Sequence, residues 1–117
     1  MKLKEIQEIL EAENIGVDFD DSIDIKNACC ADLLSDVLAF TKSTSMLLTG
    51  LIHSQVIRTA EMLDLHLVVI VRGKEPDEEI IQLAKDKHIP LMRTRLTMFV
   101  SAGRLFEAGL CGEGHSR

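Results

Sequence analysis

Leu3, Ile6, Ile9 and Leu10 recur at helical spacing between Lys and Glu residues, which predicts a short amphipathic helix at the start of the chain. Ile15-Gly16-Val17 reads as a brief strand and Asp18 to Ser22 as an acidic, solvated turn. Ile23 and Ile25 alternate with polar residues and lead into Ala28-Cys29-Cys30-Ala31, predicting a strand over 23–31. Asp32 then has the character of an N-cap for a helix carrying Leu33, Leu34, Val37, Leu38 and Thr41 as its stripe. The apolar run from Ser45 to Leu51 predicts a buried strand closed by Thr49-Gly50, and Ser54 stands where it can cap a helix facing inward through Val56, Ile57, Ala60 and Leu63. Leu67-Val68-Val69-Ile70-Val71 is continuous and rich in β-branched residues, as expected of a parallel strand covered on both faces. After Arg72-Gly73, Pro76 with Asp77, Glu78 and Glu79 opens a helix, with acids at the positive end of its dipole and Ile80, Ile81 and Ala84 inward. His88 to Met92 returns as a short strand, and Thr97 caps a last helix that carries Met98, Phe99, Ala102, Leu105 and Phe106 and ends near Gly109.

From residue 23 onward the order is β-α-β-α-β-α-β-α. Repeated βαβ units imply an α/β three-layer sandwich: a mostly parallel central sheet of about four to five strands flanked by helices, plus the N-terminal helix. A chain of 117 residues holds one such domain, expected over 1–110, with 111–117 as a flexible tail. Parallel sheets place ligands beyond the carboxyl ends of their strands, where loops meet helix N-termini. The turns on that edge carry Thr49, Gly50 and Ser54; then Arg72 and Gly73; then Thr94, Arg95 and Thr97. Free backbone amides, hydroxyls and arginines together form a candidate phosphate or carboxylate site. Capping alone also accounts for the hydroxyls.

Composition narrows the functional classes. Thirteen Lys and Arg stand against 19 Asp and Glu, a net charge of −6, and no basic patch is visible, which argues against nucleic acid as a partner. Four Phe with no Tyr or Trp leave few rings for base stacking, so the core is expected from Leu, Ile, Val, Met and Ala. Cys29, Cys30 and Cys111 have no framework spacing and read as reduced, buried thiols of a cytoplasmic protein. Residues 1–10 lack the apolar core of a signal peptide, and no apolar run approaches the roughly 20 residues that cross a bilayer. Neither membrane association nor a cofactor is expected.

Catalytic signatures are missing. Gly73-Lys74 lacks the earlier Gly and the following Ser or Thr of a phosphate-binding loop, Gly112-Glu113-Gly114 opens no helix, and there is no Gly-x-Ser-x-Gly turn. His53, His66, His88 and His115 are scattered, so no metal site is expected, and they read as surface histidines. Asp32 and Asp36 lie four apart, a spacing that puts paired carboxylates on one helix face, but capping and solvation account for both.

From Ile25 to Leu110 the chain resembles a stand-alone DRTGG domain. The likeness rests on Ala31-Asp-Leu-Leu-Ser-Asp-Val-Leu38, Leu47-Leu-Thr-Gly50, Val56-Ile-Arg-Thr-Ala60, Val69-Ile-Val-Arg-Gly73, Ile89-Pro-Leu91 and Thr97-Met-Phe99, in that order. Such domains are similar to the N-terminal part of HPr kinase/phosphorylase and to the regulatory insert of CBS-containing pyrophosphatases. Where a Gly-Asp-Arg run would follow the strand, this chain has Thr49-Gly-Leu-Ile-His-Ser54, and the Gly-Gly pair is reduced to Arg72-Gly73. The resemblance implies a regulatory or dimerisation module rather than an enzyme. Together with the candidate anion site read from the turns, the expectation is a homodimeric regulatory module with a small anionic ligand such as a nucleotide at the carboxyl edge. Two alternatives stand beside it, a protein-interaction subunit of a redox complex of the hydrogenase type and a minor enzyme acting on a phosphorylated metabolite.

Overall fold

Leu67–Ile70 is the strand the sequence marks most clearly, and in the computed structural model all four of its residues are buried at the centre of a six-stranded sheet. The structure describes residues 1–40 and 46–112. In chain order the elements are α1 (Leu3–Ile9), β1 (Glu13–Asn14), β2 (Asn27–Cys30), α2 (Leu34–Phe40), β3 (Met46–Thr49), α3 (Gln55–Met62), β4 (Leu67–Ile70), α4 (Glu78–Asp86), β5 (Leu91–Arg93), α5 (Met98–Glu107) and β6 (Cys111–Gly112). The sheet runs β1-β5-β4-β3-β2-β6, with β1 antiparallel and every other pairing parallel.

Side chains alternate across the pleat, so each central strand feeds two cores. Leu47, Val68, Ile70 and Leu91 pack under α2, α3 and α4 with Val37, Val56, Ile57, Ala60, Ile80 and Ala84. Met46, Leu48, Leu67, Val69 and Met92 face the other way, against Leu3, Ile6 and Leu10 of α1 and Leu105 of α5. The three-layer α/β sandwich expected from the βαβ order is therefore present. No described helix is long and apolar enough to cross a membrane.

Several local expectations are corrected. The first strand is Glu13–Asn14 rather than Ile15–Val17, because Asn14 turns the chain at once: its Oδ1 accepts from the Gly16 amide at 3.0 Å and its Nδ2 donates to the Val17 carbonyl at 3.1 Å. The strand expected over 23–31 is confined to Asn27–Cys30; Ile25 is buried against the α1 layer but lies outside it. Cys111 and Gly112, expected to begin the tail, pair with Asn27 and Ala28 and close the sheet beyond β2. Of the three thiols only Cys29 is buried; Cys30 is exposed and Cys111 half-buried, as alternation along β2 and an edge position in β6 require. Thr41, Ser45 and His115 lie outside the described residues.

The loop positions follow from this topology. α2, α3 and α4 lie on one face, whereas α5 leaves β5 for the opposite face on its way to β6. The loops after β4 and β5 thus diverge to opposite sides of neighbouring strands, the arrangement that opens a crevice at a carboxyl edge.

Candidate functional site

Four loops meet at the carboxyl edge, and most of their polar groups are spent on one another. Asp32, in the loop after β2, was expected to cap α2, but that helix starts at Leu34, and the carboxylate instead accepts from the Gly50 amide at 2.6 Å and the Thr49 hydroxyl at 3.4 Å. The Thr49 Oγ1 in turn accepts from the Leu51 amide at 3.2 Å, and Lys74 Nζ donates to the Gly50 carbonyl at 2.9 Å. Gly50 suits this crossing: an added Cβ would lie 3.2 Å from both Asp32 Oδ1 and Lys74 Nζ. Three loops, after β2, β3 and β4, are therefore tied by one carboxylate and one ammonium, with an anion of the protein's own where the sequence left a free amide.

The crevice between β4 and β5 is bridged in the same manner. The Arg72 amide donates to the Leu96 carbonyl and the Gly73 amide to the Thr94 carbonyl, both at 2.8 Å. Thr94 is 2% exposed; its hydroxyl donates to the Leu10 carbonyl at 2.6 Å and accepts from the Leu96 amide at 3.2 Å, anchoring the end of α1 to the loop after β5. Thr97 caps α5 as expected, accepting from the Val100 amide at 3.2 Å. Ser54 does not cap α3: it has helical dihedrals itself and makes no side-chain bond to the helix. A hydroxyl at that backbone geometry points away from the free amides that an extended N-cap would reach.

Of the eight candidate positions, Thr49, Gly50, Gly73, Thr94 and Thr97 thus serve the scaffold, and Ser54 stands apart. What remains for a ligand is the pair Arg72 and Arg95. Both are exposed, and among the described residues neither forms an ion pair. The strand register, Ile70 opposite Arg93, and the two backbone bonds bring them to one rim; a Cβ on Gly73 would lie 3.7 Å from Arg95 Cγ. Arg95 also lines a cavity of about 230 Å³ with Glu11, Glu13, Arg93, Thr94 and Leu96, where Arg93 is tied to Glu13 at 2.8 Å and to Glu75 at 3.2 Å. Arg72 has φ +65 and Gly73 φ +66, so an arginine occupies a left-handed position that favours glycine.

His66 and His88 come together at the opposite edge, around a cavity of about 150 Å³ shared with Glu61, Asp64 and Lys87. Among the described residues no group of three His, Cys, Asp or Glu side chains is placed to hold a metal ion. The carboxyls with lowered pKa, Asp24 and Asp20, both belong to the loop between β1 and β2. Lys26 and the Met1 amine hold Asp24 well below the usual range, and bonds from Ser22 lower Asp20.

Sequence reasoning missed two features. Asp32 and Lys74 carry no local signal, since an acid after a strand looks the same whether it caps its own helix or crosses to the next loop. The other is a cleft of about 350 Å³ beside α5, walled by Leu48, Leu105, Leu110 and Cys111 under Phe99 and Phe106. Phe99 and Phe106, in excess of the Met98, Ala102 and Leu105 that face the core, were its one available sign.

No protein-family model matches the chain, and no curated protein matches it. Among solved structures it is similar to the CBS and DRTGG domains of the regulatory region of Clostridium perfringens pyrophosphatase, crystallised with the activator diadenosine tetraphosphate. The superposition has a TM-score of 0.73 at 20% identity and covers 89% of this chain but 45% of the other, so this chain spans about half the length of that regulatory region. At such identity the likeness is one of fold, and it agrees with the resemblance carried by the sequence: the chain has the fold of a DRTGG-type domain.

Proposed function

We propose that this chain is a non-catalytic regulatory module that works as a homodimer and takes a small anionic ligand, such as a nucleotide, at the carboxyl edge of its sheet. The observation that carries this reading is Arg72. A left-handed backbone position next to Gly73, at the divergence of the β4 and β5 loops, holds an exposed arginine where glycine would cost less, and Arg95 stands beside it. The fold adds weight, because the similar regulatory region was crystallised with an activating dinucleotide polyphosphate. With the Gly50, Arg72 and Gly73 amides already engaged, the ligand is held by guanidinium groups from outside rather than cradled by a loop.

Calorimetry with inorganic phosphate, mononucleotides and diadenosine polyphosphates tests this. At least one nucleotide should bind, and Arg72→Ala should weaken it by about tenfold or more, since a charge-assisted hydrogen bond contributes roughly 1.5–3 kcal/mol. A wild-type protein that binds none of these compounds, or an Arg72→Ala variant that binds equally well, overturns the reading.

A further inference from the structure

We propose that two copies of this chain meet along the outer face of α5, packed antiparallel about a two-fold axis. The inference rests on the dimeric part of the reading above and names its surface. Phe99 is 87% exposed and Phe106 61% exposed, on a helix whose other face is buried through Ser101 and Leu105. They stand about 10 Å apart along the helix, and the residues midway between them are Ala102 and Gly103. A Cβ on Gly103 would meet nothing within 4 Å, so the surface is flat at its middle and raised at both ends. The cleft of about 350 Å³ opens directly under this stripe.

The pattern is complementary to itself. Positions 99 and 106 are equally distant from the midpoint of 102 and 103. An antiparallel copy therefore sets each Phe99 opposite the other copy's Phe106, twice, while each Ala102 faces the other copy's Gly103 beside the axis and lets the helices approach closely. A closed two-fold contact requires this reciprocity. Charge points the same way. The chain carries a net −6, and the cleft lining contains no Asp, Glu, Lys, Arg or His, so two acidic copies meet there with the least repulsion. The area is of the right order: an aromatic side chain offers about 150–250 Å², so the four largely exposed rings of a pair cover roughly 600 Å². That is about half of the ~1,200 Å² at the lower end of stable interfaces, with Val100 and the cleft walls left to supply the rest.

Sedimentation velocity from about 1 to 100 µM, spanning weak to moderate affinities, reads the outcome. The wild-type chain should sediment as a dimer. Phe99→Glu and Gly103→Glu should each raise the dimer dissociation constant by about tenfold or more, as loss of a central contact does. Gly103→Glu guards against a folding artefact, because the position is open in one copy and glutamate suits a helix better than glycine. Its circular dichroism and urea midpoint should match or exceed the wild type while the dimer is lost. A wild-type monomer at the highest concentration overturns both this surface and the dimeric reading. A dimer that survives both variants overturns this surface alone.

Discussion

Two buried hydroxyls in this fold should respond to removal with opposite signs. Thr94, 2% exposed, donates to the Leu10 carbonyl at 2.6 Å and accepts from the Leu96 amide at 3.2 Å. Thr94→Val keeps the shape and removes both bonds, the one to the Leu10 carbonyl buried and the one from the Leu96 amide partly buried. At about 1–1.5 kcal/mol for each bond the variant should lose about 2–3 kcal/mol. For a domain of this size that lowers Tm by about 6–15 °C. Ser101 is also fully buried, but among the described residues its Oγ is the buried side-chain polar atom without a partner. Ser101→Ala removes a desolvated hydroxyl that receives nothing in return and places the best helix former in mid-α5, so it should gain about 1 kcal/mol. The chain has no Trp or Tyr, so urea unfolding is best followed by far-ultraviolet circular dichroism, with an unchanged slope as the check that the unfolded state is the same. If Thr94→Val falls within about 0.5 kcal/mol of the wild type, the anchoring of α1 to the β5 loop is not a source of stability. If Ser101→Ala destabilises by more than about 1 kcal/mol, its hydroxyl has a partner and the assignment of an orphan is wrong.

Glycine should stabilise wherever the chain holds another residue in the left-handed region at a helix end. Glu11 (φ 51), Asp64 (φ 57) and His88 (φ 56) follow α1, α3 and α4 in the role that Gly109 plays after α5, so each glycine variant should gain up to about 1 kcal/mol by chemical denaturation. Arg72→Gly should gain a similar amount of stability while losing nucleotide binding, and a variant that keeps its affinity would separate the strain from the site. Asp24 gives a pH signature. Its carboxyl is held low by Lys26 and the Met1 amine, both at 2.6 Å, so the stability it contributes is present above the unfolded carboxylate pKa and is lost as pH falls toward the depressed folded value. The gap between wild type and Asp24→Asn in urea should therefore be widest near neutrality and close in acid; a gap that widens in acid contradicts the pairing.

The elements that sequence made legible are those whose burial is two-sided or whose caps are local. Leu67–Ile70 announces itself because both faces of a central parallel strand must be apolar, and the Asp77 and Thr97 caps bond amides three residues away, within reach of any local pattern. The edge strands β1 and β6 have two residues each, too few for a period of two to appear, and are held by partners some 80 residues away in the chain: Arg93 for Glu13, Asn27 for Cys111. The candidate site divides along the same line. Its location was legible, because the carboxyl edge follows from the βαβ order. The status of its donors was not, because whether the Gly50 amide is free depends on Asp32, 18 positions earlier, and whether the Gly73 amide is free depends on Thr94, 21 positions later.

That internal satisfaction determines what kind of ligand site this edge can be. A phosphate-binding loop works by leaving successive amides unpaired and aimed at one point, so much of its recognition lies in the backbone. Here Asp32 takes the Gly50 amide, and the carbonyls of Leu96 and Thr94 take those of Arg72 and Gly73, which leaves the rigid part of the edge without free donors at these positions. Arg72 and Arg95 are long, exposed and mobile in principle, so an anion bound by them sits at the rim, meets solvent on one side and remains sensitive to salt. Such a site contributes little affinity alone. With α5 packed antiparallel against its counterpart, the rim next to the start of α5 in one copy lies beside the end of α5 in the other, about 15 Å of helix away, so each copy holds its anion with its own two arginines.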